Sequence, residues 1–182
     1  MDFSELVQAR RSVRTFSDAE IDEATIENII ECARLAPSWK NGQCWHFVVI
    51  RDRDKINAIV SDGMVLGNAW LTKAPVLIIA CGDPAKSGNR YGIPYYAVDV
   101  AIALEHIMLA AAENGLGTCW IGLFDDKKLK EVLDIPSDIK IVALTPLGYP
   151  ADNMSVQERL TKTTVISKHR KPLSEVIHWE KF

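Results

Sequence analysis

Three arginines and a serine fall within five residues, Arg10-Arg11-Ser12-Val13-Arg14. In an extended segment alternate side chains share a face, so Arg10, Ser12 and Arg14 can converge on one target. Guanidinium groups present rigid forks of donors, and with a neighbouring hydroxyl such a set suits a phosphate. A solvated basic patch following a helix would have the same composition. A second polar stretch is Pro37-Ser38-Trp39-Lys40-Asn41-Gly42-Gln43. It lies at the exit of a periodic, apolar helix that must stop before Pro37. Ser38, Asn41 and Gln43 offer hydroxyl and amide groups either to a planar polar ring or to the turn's own backbone. A third stretch is Gly115-Leu116-Gly117-Thr118-Cys119-Trp120-Ile121-Gly122. A dinucleotide fingerprint would need a third glycine where Trp120 stands, and a strand rather than a helix before it. Gly122 has no side chain and permits close backbone approach by a ligand. Trp120 and Cys119 suit the core equally well. A fourth stretch, Arg159 to Lys171, holds five Lys or Arg residues and no acid, with Lys168 and Arg170 spaced i, i+2.

These residues need elements to position them. Asp2 with Glu5 forms a capping-box-like start for a short helix from Phe3 to Arg10. A second helix starts near Asp22, with Ile26, Ile29, Ile30 and Ala33 at i, i+3, i+4 and i+7. Trp45 to Ile50 predicts a strand, Asp54 to Val60 a short helix, and Pro75 to Cys81 a buried strand closed by Gly82-Asp83-Pro84. Residues 84–94 form a loop able to cover a site. Tyr95 to Asn114 is the longest helix, stopped by Gly115 and apolar around most of its circumference. In so small a chain that suggests burial against a second subunit. Thr118 to Leu123 predicts a strand, Asp126 to Leu133 a helix and Ile139 to Leu147 a strand. The last 30 residues look extended apart from a short helix, Pro172 to His178. Alternating strands and helices predict an α/β fold. The chain shows no repeat, low-complexity segment or linker, and its 182 residues suit a single domain, 1–182.

Composition excludes several classes. A net charge of −3 argues against a nucleic-acid surface. Cysteines at 32, 44, 81 and 119 have no CxxC spacing, which argues against zinc. Cys32, Cys44 and Cys81 stand in apolar contexts and are expected to be buried thiols. His46, His106, His169 and His178 are scattered and suggest no hydrolytic triad or metal site. Asp99, Glu105 and His106 interrupt the apolar run from Tyr95 to Ala112. That favours a buried helix with satisfied polar groups over a membrane span. A proton-donor role for His106 is the alternative. The N-terminus shows no basic start followed by an apolar run, so a reducing, cytoplasmic location is expected.

Taken together and in order, the motifs resemble the FMN-dependent nitroreductases. The matching residues are Arg10-x-Ser12-x-Arg14, Pro37-Ser38-x-x-Asn41-x-Gln43-x-Trp45, Gly115 to Gly122, and Lys168-His169-Arg170-Lys171-Pro172-Leu173. The family more often has Pro where this chain has Cys44. The resemblance implies an α+β fold: a mixed, mainly antiparallel sheet flanked by helices, in an intertwined homodimer whose C-terminal extension embraces the partner. It implies FMN as cofactor and NADH or NADPH as electron donor. Arg10, Arg11, Ser12, Arg14, Lys168 and Arg170 would hold the phosphate. Arg14 would also sit near the flavin N1/C2-carbonyl edge, where a cation favours the reduced anion; membership of the phosphate cluster alone is the alternative. Pro37, Ser38 and Trp39 would contact flavin bound mainly by the other subunit, with Asn41 and Gln43 bonded to the ring or the loop. Asn68 is either a ring contact or an exposed helix residue. Thr118, Trp120, Ile121 and Gly122 would line the ring, the Ile121 and Gly122 N–H groups approaching flavin N5. The implied activity is hydride transfer through N5 to a nitroaromatic, quinone or similar planar acceptor, in a ping-pong cycle. A flavin-storage protein, or other flavin chemistry on the same fold, are the alternatives. No nucleic acid or membrane partner is expected.

Overall fold

The computed structural model describes residues 1–64, 68–151 and 170–182. Among them are five α-helices: α1 (Phe3–Ala9), α2 (Glu23–Arg34), α3 (Arg53–Ala58), α4 (Tyr95–Glu113) and α5 (Asp126–Leu133). The strands are β1 (Trp45–Ile50), β2 (Val76–Gly82), β3 (Asn89–Arg90), β4 (Ile93–Pro94), β5 (Gly117–Thr118) and β6 (Lys140–Gly148). The chain divides into two compact units, Met1–Asp152 and Asn153–Phe182. In the second unit the helix expected over Pro172 to His178 is a single 3-10 turn, Leu173–Glu175. Lys168 and the expected extended run before it lie outside the described residues.

The main sheet has the order β1-β2-β6-β5, and every neighbouring pair is antiparallel. Its mixed character comes from the Arg10–Arg14 segment, because Ser12 bridges Thr118 in the parallel sense. Every residue of β2 is buried. Its alternate residues serve two different cores. Val76, Ile78 and Ala80 face a cluster with Ile26, Ile29 and Ala33 of α2 and Val100, Leu104 and Ile107 of α4. Leu77, Ile79 and Cys81 face a second cluster with Ile56, Ile59, Leu71 and Leu129. The sheet is therefore covered on both sides. This explains why β2 is a continuous apolar run rather than an alternating one, although its pairs are antiparallel.

Local signals set the helix ends. Asp2 and Glu5 form the expected reciprocal capping box on α1. Asp22, Asp52 and Asp125 each accept a backbone N–H at the start of their helices. At the end of α4, Gly115 adopts φ 72°, its N–H reaches Ala112 O and the Leu116 N–H reaches Ala111 O. That pair of hydrogen bonds is the left-handed stop that glycine favours. Two elements have no simple sequence signal: a π-helical turn over Ile59–Gly63 and a 3-10 turn over Ala69–Lys73. Residues 84–94 are more structured than a loop, holding a 3-10 turn at Pro84–Lys86 and the β3–β4 hairpin.

The strand expected over Thr118 to Leu123 is cut short. Thr118 pairs with Leu147 and Ile121 with Leu144, one continuous register that sets Cys119 opposite Pro146. Proline has no N–H to complete the ladder there. The Cys119 N–H turns instead to the Thr145 hydroxyl at 3.2 Å. Among the cysteines, Cys44, Cys81 and Cys119 are buried, but Cys32 is exposed on α2, against expectation. Glu105 is also exposed rather than buried, while His106 is half-buried with its Nδ1 3.0 Å from the Cys32 carbonyl. Helix α4 is long and apolar enough to cross a membrane, yet it packs as the core helix between α2 and the sheet.

Candidate functional site

After α1 the chain leaves the helix at Arg10 and runs along the open edge of β5. The Val13 N–H donates to Thr118 O at 2.8 Å, the Ser17 N–H to Tyr149 O at 2.9 Å, and the Ala151 N–H to Thr15 O at 3.1 Å. The approach is close because Gly117 has no side chain. A Cβ there would lie 2.6 Å from the Val13 Cβ. Val13 and Phe16 point into a small core with Ala74 and Trp70. Arg10, Ser12 and Arg14 are each half-buried, and Arg11 is exposed. The extended geometry expected for the segment is thus present, and β5 and the Arg10–Arg14 stretch lie side by side.

Arg10 and Arg14 have separate supports. Arg10 Nε stands 3.7 Å from Glu105 Oε1 on α4. Arg14 lies over the Trp70 ring, 5.9 Å from its centroid, and Trp70 stacks on Phe16 at 6.4 Å. A cation on an aromatic face is held without losing its charge. Asn68 stands at the start of the 3-10 turn that carries Trp70, so the segment's neighbour is the element that Asn68 begins. Trp70 and Glu105 were not among the expected site residues. Trp70 gave no periodic signal, but Glu105 was visible as a charge interrupting an apolar helix.

The 117–122 stretch contributes backbone more than side chains. Thr118 and Ile121 are buried, Trp120 is 41% exposed and Gly122 is exposed. The Ile121 N–H, expected to face a flavin N5, donates to Leu144 O at 2.9 Å as part of the sheet. That expectation is corrected: the bridge to β6 uses the group, and Gly122 is left as the backbone candidate. Arg170 is exposed and belongs to the second unit.

The Pro37–Gln43 stretch forms a 3-10 turn over Trp39–Asn41. The Gln43 N–H donates to Ser38 Oγ at 3.0 Å, and Gln43 Nε2 to Asn41 Oδ1 at 3.3 Å. Part of the polar set therefore serves the loop itself. The Trp39 N–H donates to Asp99 on α4 at 2.9 Å. Asp99 and Glu105 are six residues apart, which puts them on faces of α4 about 120° apart. One chain thus presents the ring loop and the arginine segment on different sides of its central helix. Beside the loop, burial first and the Asp99 charge second push the Cys44 thiol up to about 11.

The donor chemistry suits a flavin mononucleotide. Arg10, Ser12 and Arg14 supply forked cations and a hydroxyl within one extended segment, and the long, half-exposed Glu105 contact leaves Arg10 able to meet a stronger anion.

The Nitroreductase family profile matches residues 7–149. A protein of Archaeoglobus fulgidus, carrying the provisional name NADH dehydrogenase/NAD(P)H nitroreductase, is 37% identical over 84% of this chain and 88% of its own. The FMN reductase [NAD(P)H] of Bacillus subtilis is 27% identical over 85% of this chain and 68% of its own. A nitroreductase family protein from Clostridium novyi NT superposes with a TM-score of 0.80 at 38% identity, covering 84% of this chain and 87% of that one. With the profile spanning most of its length, the chain belongs to the Nitroreductase family.

Proposed function

We propose that this enzyme, an NAD(P)H oxidoreductase by family, uses FMN to reduce nitroaromatics, quinones or similar small planar acceptors. When bound, the flavin would supply the redox chemistry, relaying a hydride equivalent from NADH or NADPH to the acceptor. The observation that carries this reading is the pairing of Ser12 with Thr118 of β5, flanked by Arg10 at the end of α1 and by Arg14 held over Trp70. Arg10, Arg11 and Ser12 bind the phosphate. Arg14 stabilises negative charge at the pyrimidine edge of the ring. Gly122 lets the backbone approach the ring closely. Trp120 and Asn68 border the same space.

The ring loop acts on the other protomer's site in a homodimer. Two features support that arrangement. The loop and the arginine segment face different sides of α4, and α4 with the hairpin leaves an open apolar face of Ile93, Ala97, Val98, Ala101 and Ile102. Pro37, Ser38 and Trp39 then cover the ring, while Asn41 and Gln43 shape the turn. No side chain among the described residues needs to act as a catalytic acid, because the cofactor carries the proton and electrons.

The test is FMN binding by Arg10→Ala combined with Arg14→Ala, followed by flavin fluorescence. Each lost charged hydrogen bond removes ~1.5–3 kcal/mol, so affinity falls ~100-fold or more. The circular dichroism spectrum stays that of a folded protein. Stoichiometric FMN in the double variant would overturn the phosphate assignment.

A further inference from the structure

Asp99 has no role in the chemistry proposed above, yet it is a carboxylate only 2% exposed on an apolar helix. It collects donors from two separate segments. The Trp39 N–H donates to Oδ1 at 2.9 Å, the Ser87 hydroxyl to Oδ2 at 2.8 Å and the Cys44 thiol to Oδ2 at 3.6 Å. Trp39 and Cys44 bracket the ring loop. Ser87 belongs to the 84–94 segment.

The loop between them is under backbone strain. Lys40, Asn41 and Gln43 have φ of 50°, 56° and 46°, the left-handed region that side chains disfavour. Each such residue costs about 1 kcal/mol or more and persists only where its surroundings over-determine it. Those surroundings are Asp83, the 84–94 segment and α4. The Asp83 N–H donates to Cys44 O at 2.8 Å. A Cβ on Gly42 would meet Lys86 O at 2.0 Å, and one on Gly88 would meet the Trp39 ring at 2.5 Å. Trp39 also packs on Tyr95, with ring centroids 4.2 Å apart. A buried charge with three donors is the most costly of these contacts to disturb.

We propose that Asp99 is a positioning residue: its carboxylate clamps the strained 38–43 turn to the 84–94 segment, so that the two hold the planar ligand as one unit. The identity of that ligand rests on the FMN reading, whereas the clamp is testable without ligand. Ser87→Ala removes one tether and buries nothing new, so it folds even if Asp99→Ala does not. Asp99→Asn keeps an acceptor for the Trp39 N–H.

The experiment is amide hydrogen exchange on the FMN-free protein, followed by FMN titration of the same variants. In Ser87→Ala, the Trp39 amide and the amides of 84–94 exchange ~10-fold faster or more, while those of β2 keep wild-type rates. FMN binding weakens ~10-fold at an unshifted melting temperature, and Asp99→Asn, which keeps an acceptor for the Trp39 N–H, shows smaller changes in both. Unchanged Trp39 exchange in Ser87→Ala would overturn the clamp. Accelerated exchange with unchanged FMN affinity would overturn its link to the ligand. Coupled exchange in a wild-type protein that takes up no FMN would keep the clamp and overturn the FMN reading instead.

Discussion

Arg14 and Arg10 sit four residues apart but rest on different supports, in keeping with the separate roles proposed for them. Arg14 lies on Trp70, and Arg10 meets Glu105. Arg14→Ala alone should lower the midpoint potential of bound FMN, because a cation near the reduced ring is lost. Spectroelectrochemical titration measures it. An unchanged potential with weaker binding would assign Arg14 to the phosphate only. Gly117 is the residue that lets this segment reach β5. Gly117→Ala places a Cβ 2.6 Å from Val13 and should cost ~1–3 kcal/mol by overpacking. Adding Val13→Ala should return part of that loss in a denaturant titration; a further fall would show that the close approach is not the cause. The buried thiols predict an alkaline limit. Burial pushes both Cys44 and Cys81 from 9.0 to about 11. The folded state thus keeps the neutral thiol where the unfolded chain ionises. Stability is intact below pH 9 and falls as pH rises towards 11. The urea midpoint measured from pH 8 to 11 should drop over that window and drop less in Cys81→Ala.

At the scale of elements, the physics readable in sequence is the physics of periodicity and caps. β2, α2 and α4 follow from their apolar patterns, and α1 from its capping box. Gly115 ends α4 because only a left-handed residue closes both terminal bonds. What the sequence hides depends on pairing partners. The break after Thr118 arises from Pro146, twenty-eight residues away in the chain, and becomes visible only once the register is known. The 3-10 turn that carries Trp70 has no period to betray it, so the aromatic support for Arg14 was not legible. Glu105 and Asp99 were read together as polar interruptions of one helix. The fold gives them opposite situations, one exposed and salt-bridged, the other buried and clamped. The arginine motif was legible because a short extended segment needs no tertiary knowledge to align alternate side chains.

For the whole molecule, the open question is how two separated halves of a site work together. The ring loop and the arginine segment lie on different faces of α4, and the helix leaves Val98 37% exposed within an apolar face. The proposed homodimer, with that face buried in a second copy, would explain both facts. Val98→Glu should therefore shift the protein towards monomer in analytical ultracentrifugation and reduce FMN retention with it. A monomeric variant that holds FMN as tightly as wild type would show that one chain suffices. The flavin assignment itself is tested most directly by the visible spectrum of the purified protein, recorded anaerobically before and after NADH or NADPH. Flavin bands that bleach with one of the nucleotides and return on adding a nitroaromatic or a quinone are the predicted result. A protein that stays colourless and takes up no added FMN, or whose bound flavin neither nucleotide bleaches, would contradict it.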